Sequence, residues 1–89
     1  MSETILIVDD EKEIADLVEL YLRNENYHIE KAVDSETALD ILEKKKIGLA
    51  LLDVMLPDMD GFTLCKKIRE KHLFPIIMFA ALIKQVKKK

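Results

Sequence analysis

A single cysteine, Cys65, stands in the chain, so neither an internal disulfide nor a cysteine cluster for a metal can form. That usage fits a reducing compartment and leaves Cys65 as an expected core thiol. Glycine and proline are scarce, two of each, against a hydrophobic content of 49%, which argues for a folded chain rather than a disordered one. No basic segment followed by an apolar stretch opens the sequence, and no apolar run approaches membrane-spanning length. Neither leader nor membrane span is expected, and the expected location is the cytoplasm. No Gly-rich phosphate loop or Walker-type lysine follows the first apolar run, which disfavours nucleotide-binding folds. Charge of one sign is also lacking: a net charge of -3 gives no global reason to expect nucleic acid.

What is present fits one domain with one core. At 89 residues the fraction of surface buried on folding is modest, the stability margin thin, and oligomerisation a natural remedy. Residues 5–8 are a continuous apolar run closed by Asp9 and Asp10, as expected of a strand buried on both faces. From Glu11 the period changes, and Ile14, Leu17, Val18, Tyr21 and Leu22 follow a helical stripe that ends near residues 24–26. Residues 27–32 alternate, as on a wetter edge strand. Asp34 and Ser35 offer capping oxygens to a helix carrying Ala38, Leu39, Ile41 and Leu42. Residues 47–52 form the most apolar stretch and close on Asp53, which predicts a central strand with an acid at its carboxyl end. A loop through Pro57 leads to Asp60, a cap for a helix carrying Phe62, Leu64, Cys65 and Ile68. Pro75 then precedes a fourth strand at 76–79. Residues 80–89 can continue that strand or build a short basic amphipathic helix, and the helix is the reading adopted. Strands alternating with helices through short connections predict an α/β domain with a parallel sheet and right-handed crossovers.

In open parallel sheets the functional crevice lies beyond the carboxyl ends of the strands, where Asp9, Asp10 and Asp53 are delivered. Three carboxylates in one crevice repel one another unless a cation intervenes. Mg²⁺ suits such a site because it takes few carboxylates and leaves coordination open for a phosphoryl oxygen. Asp53 is then a candidate nucleophile able to form an acyl phosphate. The plain alternative is that Asp9 and Asp10 only form a turn and cap the first helix, and that Asp53 is an ordinary strand-end residue.

The run Asp53-Val54-Met55-Leu56-Pro57-Asp58-Met59-Asp60-Gly61, with Leu6-Ile7-Val8-Asp9-Asp10-Glu11 before it, resembles the receiver domain of bacterial two-component response regulators. The resemblance covers about residues 5–78. Residues 14–22 are further similar to the vancomycin-resistance regulators of that family, whose output is a winged-helix DNA-binding domain. The resemblance implies a flavodoxin-like three-layer fold with strand order 2-1-3-4. It implies Asp53 as acceptor of phosphate from a sensor histidine kinase, Asp10 as a direct Mg²⁺ ligand, Asp9 acting through a metal-bound water, and the Met55 carbonyl as a further ligand. Pro57 and Gly61 would shape the loop, Gly61 by allowing backbone geometry that a β-carbon opposes.

The sequence departs from the family pattern at its end. Ala80 stands where the family has a Thr or Ser that follows the phosphoryl group, and no Lys-Pro pair or fifth strand is found. The expectation is a single receiver domain over 1–89, truncated, with an uncovered sheet that favours a homodimer or higher oligomer, slow phosphorylation and a lost switch. A phosphorylation-inert interaction fragment is the second reading. A freestanding Mg²⁺-dependent phosphatase ranks last, since Met55 stands where a second Asp would be needed and no general acid is evident, so no enzyme beyond the phosphoacceptor chemistry is expected. Direct nucleic-acid binding by the lysine tail is not expected without aromatic interleaving. His28 is read as a solvated residue and His72 as a favourable charge near a helix end.

Overall fold

The computed structural model describes residues 3–80. The elements run β1 (Thr4–Val8), α1 (Lys12–Arg23), β2 (His28–Ala32), α2 (Ser35–Lys44), β3 (Leu49–Asp53), α3 (Gly61–Arg69) and β4 (Ile76–Phe79). The strands form one parallel sheet in the order β2-β1-β3-β4, so the two strands that lead into Asp9 and Asp53 are central and the alternating one lies on an edge. The expected helix over 80–89 lies outside the described residues from Ala81 onward.

Side chains alternate across the sheet and divide the core into two layers. Leu6 and Val8 of β1 and Ala50 and Leu52 of β3 point to one face, where Ala38 and Leu42 of α2 and Leu64 and Ile68 of α3 pack on them. Ile5 and Ile7 point to the other, against Ala15, Val18 and Leu22 of α1. Both faces of β1 are therefore covered, which is why its sequence is apolar without alternation.

One sequence expectation needs correction. Leu17 and Tyr21 continue the apolar pattern of α1, yet they are 55% and 68% exposed. The seam against the sheet is narrower, because Asp16 and Glu19 turn one flank of the helix toward β2, where Lys31 meets each at 2.7 Å. Leu17 and Tyr21 occupy the opposite flank, which no other described helix covers. Phe62 is likewise 57% exposed. Two residues span about 200° of a helix, so Phe62 cannot share the face of Leu64 and Ile68.

Local stops and starts follow the side chains. Helix α1 ends where Asn26 adopts a positive φ of 68°, a conformation Asn tolerates, with the Tyr27 N–H reaching back to the Leu22 carbonyl. Asp34 caps α2 through the Thr37 N–H at 2.9 Å, and Asp60 caps α3 through the Thr63 N–H at 2.9 Å. Ser35, the other expected capping residue, is instead buried in the first turn of α2.

Candidate functional site

The β1–β3 register pairs Val8 with Leu52, so the next residue on each strand is an aspartate and the two stand side by side. Asp9 and Asp53 are buried to 1% and 0% exposure, and Asp10 lies beside them on the surface. Each of the three offers a carboxylate oxygen, and these oxygens all fall within 4.8 Å of one another. The alternative role of Asp9 is real as well: its Oδ1 accepts the Glu11 N–H at 2.8 Å, while α1 begins at Glu11 without a side-chain cap. That bond turns the chain from strand into helix and fixes the rotation of the carboxylate. Asp53 is held in the same way, with Oδ1 accepting the Met55 N–H at 3.2 Å.

Such a set fits a small hard cation. Burying ionised carboxylates is costly unless they are paired or bind a metal. Mg²⁺ takes oxygen ligands at about 2.1 Å in octahedral geometry, which sets neighbouring ligand oxygens about 3 Å apart and opposite ones about 4 Å apart. Three carboxylate oxygens that all lie within 4.8 Å of one another are close enough to serve one such ion.

The loop of residues 54–60 leaves the site and returns to it. The Gly61 N–H donates to the Val54 carbonyl at 2.7 Å, and Met55 and Asp60 form an isolated antiparallel bridge. Neither glycine has a positive φ. Gly61 is thus required by closeness and not by backbone dihedral, since a Cβ there would run into the Asp53 carbonyl oxygen and stand 3.0 Å from Val54 Cα. Met55, whose carbonyl the family resemblance makes a ligand, sits in this loop with its side chain exposed. On the far side, Asp53 pairs with Phe79, and Ala80 follows at the end of β4, exposed. His28 is at the opposite end of the sheet, paired with Thr4 and 3.3 Å from Glu30, and takes no part in the site.

One residue of consequence carries no signal in the sequence. Asp58, read as an ordinary loop residue, accepts the Ser35 N–H on Oδ1 at 3.0 Å and the Glu36 N–H on Oδ2 at 3.1 Å. The Ser35 amide first, and the Glu36 amide with it, hold the Asp58 carboxyl below its ordinary 3.8. A depressed carboxyl contributes stability that is fully present above its unfolded value and is lost as pH falls through the folded one. The Ser35 and Glu36 amide resonances are therefore expected to titrate together with a midpoint below 3.8. A midpoint at or above that value would show that the contact does not form in solution.

Comparison with known proteins agrees with the fold. The response regulator receiver domain family matches residues 5–88, and the chain belongs to that family. Proteins of this class are signalling domains that receive phosphate from sensor histidine kinases. Within it, the chain is similar to the regulatory protein VanR of Enterococcus faecium, 60% identical over 78 residues, which are 88% of this chain and 34% of VanR. The chain spans about a third of the length of the curated relatives it matches. Among solved structures, a response regulator from Chloroflexus aurantiacus superposes with a TM-score of 0.82 at 39% identity, covering 88% of this chain and 66% of that one. TrrA of Thermotoga maritima, solved in complex with Mg²⁺-BeF, gives a TM-score of 0.77 at 23% identity over 97% of this chain and 94% of its own, a likeness of fold. Among the described residues no helix is long and apolar enough to cross a membrane.

Proposed function

We propose that the chain is a phosphoacceptor receiver domain in which Asp53 takes a phosphoryl group from the phosphohistidine of a sensor kinase in an Mg²⁺-dependent step. The observation that carries this is the convergence of the Asp9, Asp10 and Asp53 oxygens within 4.8 Å, two of the three residues being buried. The binding of Mg²⁺ and a beryllofluoride by TrrA supports the same assignment of the metal. Asp10, Asp9 and Asp53, with the Met55 carbonyl, would hold Mg²⁺. When bound, the ion neutralises the carboxylates and the charge of the incoming phosphoryl group.

The chain's own residues do the rest. The Met55 N–H holds the Asp53 carboxylate in one rotation, so the nucleophile needs little reorganisation. A carboxylate oxygen attacks phosphorus, the P–N bond to the kinase imidazole breaks, and the released imidazole nitrogen takes a proton from solvent. Ala80 has no hydroxyl to follow the new phosphoryl group from the end of β4, and we assign to this residue a weakened conformational response. By similarity to VanR, the whole protein would regulate transcription.

The test is incubation with Mg²⁺ and a small acyl phosphate donor, followed by intact mass measurement. One phosphoryl group is expected with Mg²⁺, and removal of the ion with EDTA is expected to slow labelling by about two orders of magnitude or more. Equal labelling with and without EDTA would sink the metal assignment; no labelling in either would favour the inert interaction fragment.

A further inference from the structure

The loop of residues 54–60 is fastened at two places. Its root is closed by the Gly61 to Val54 hydrogen bond and the Met55–Asp60 bridge. Its tip is held by Asp58, whose two oxygens take the Ser35 and Glu36 N–H groups across a gap of more than twenty residues in sequence. Helix α2 does not depend on Asp58 to begin, because Asp34 already caps it through the Thr37 N–H. What Asp58 adds is a tie between loop and helix. The helix end of the tie is anchored, since Ser35, Ala38 and Leu42 are buried against the sheet. Within the loop Leu56 and Met59 pack against the core, while Met55, Pro57 and Asp58 are exposed, so the two Asp58 bonds are what tie this exposed stretch to a neighbouring element.

We propose that Asp58 is a positioning residue for the Asp53 site, tying the tip of the loop to the first turn of α2 and so fixing where the Met55 carbonyl stands relative to the three carboxylates. The inference rests on the reading of Asp9, Asp10, Asp53 and the Met55 carbonyl as the Mg²⁺ site. Asp58 touches neither ion nor phosphoryl group and acts through the backbone of the loop. Substituting groups outside the ligand shell that orient a ligand typically weakens metal binding by about 10- to 100-fold.

The experiment compares the parent chain with D58A, D58N and D34A, measuring Mg²⁺ affinity by calorimetry, amide exchange at Met55 and Gly61 by NMR, and the thermal midpoint. D58A is expected to weaken Mg²⁺ binding about ten-fold and to speed exchange at both amides. D58N keeps one of the two acceptor oxygens and sets an NH2 group against the other N–H, so its affinity is expected to fall between those of the parent and D58A. D34A removes the helix's own cap, so it lowers the thermal midpoint while leaving Mg²⁺ affinity and the loop amides at parent values. If D34A weakens Mg²⁺ as much as D58A does, or if neither Asp58 variant changes affinity or exchange, Asp58 is only a helix cap and the proposal is overturned. A parent chain that takes up no Mg²⁺ overturns the metal assignment instead, and exchange at Met55 and Gly61 then decides whether Asp58 holds the loop.

Discussion

Asp53→Asn is expected to abolish phosphoryl uptake, leaving the intact mass of the chain unchanged after incubation with Mg²⁺ and an acyl phosphate donor. The amide keeps the shape of the side chain, and its oxygen can still accept the Met55 N–H, so β3 and the loop after it are retained. What disappears is the nucleophilic carboxylate oxygen. The same change removes one of three gathered negative charges. Two unit charges about 4 Å apart interact by about 1 kcal/mol in water and about 4 kcal/mol near a protein surface. The variant is therefore expected to be more stable than the parent in EDTA, by an amount within that range, and to lose part of this advantage when Mg²⁺ is added. Thermal melts in the two conditions check the sign. Labelling of Asp53→Asn to the extent of the parent would place the acceptor elsewhere.

The second large effect is at Gly61. Gly61→Ala puts a methyl group onto the Asp53 carbonyl oxygen, with Val54 Cα at 3.0 Å and Met78 Cε at 2.9 Å. The methionine end can swing away, but the two backbone atoms belong to the strand end and loop root of the site itself. Overpacking of this kind costs about 3 kcal/mol or more where backbone must move, a large part of the margin of a small domain. Relief requires Val54 and Gly61 to separate, which breaks their 2.7 Å hydrogen bond and displaces Met55. Gly61→Ala is expected to lose both stability and phosphoryl uptake. Gly48→Ala is the matched control: a Cβ there meets only the Glu3 carboxylate, the far end of a flexible side chain. It is expected to change stability by less than about 1 kcal/mol, in the stabilising direction if Glu3 swings clear, since alanine narrows the unfolded ensemble. Chemical denaturation of both variants tests the contrast, and equal losses would contradict the close approach at Gly61.

Much of this is legible in the sequence. The apolar run of β1 and the run closing on Asp53 announce strands covered on both faces, and the changes of period at Glu11 and Asp34 mark where helices begin. Asp9, Asp10 and Asp53 could be named because each sits at an expected strand end, where a parallel sheet opens its crevice. Three features were not legible. Periodicity reports that Leu17 and Tyr21 are apolar at helical spacing, but how wide a face is covered depends on the neighbours a helix meets. Apolar character alone does not tell that Phe62 faces solvent, which follows from its step of about 200° from Leu64 once the buried face of the helix is known. Asp58 gave no sign at all, because its partners, the Ser35 and Glu36 amides, are backbone groups that every residue carries.

The amino-acid sequence by itself determined the elements of this protein, their order and the identity of its acidic site. Hydrophobic period, capping residues and strand-end acids are local properties, and local sterics and solvation read them directly. Only the tertiary structure decided the register that sets Asp9 beside Asp53, the closeness that makes Gly61 irreplaceable and the tie from Asp58 to α2. Each of these is a meeting of segments distant in the chain, and its geometry exists only once the sheet has paired and the helices have packed.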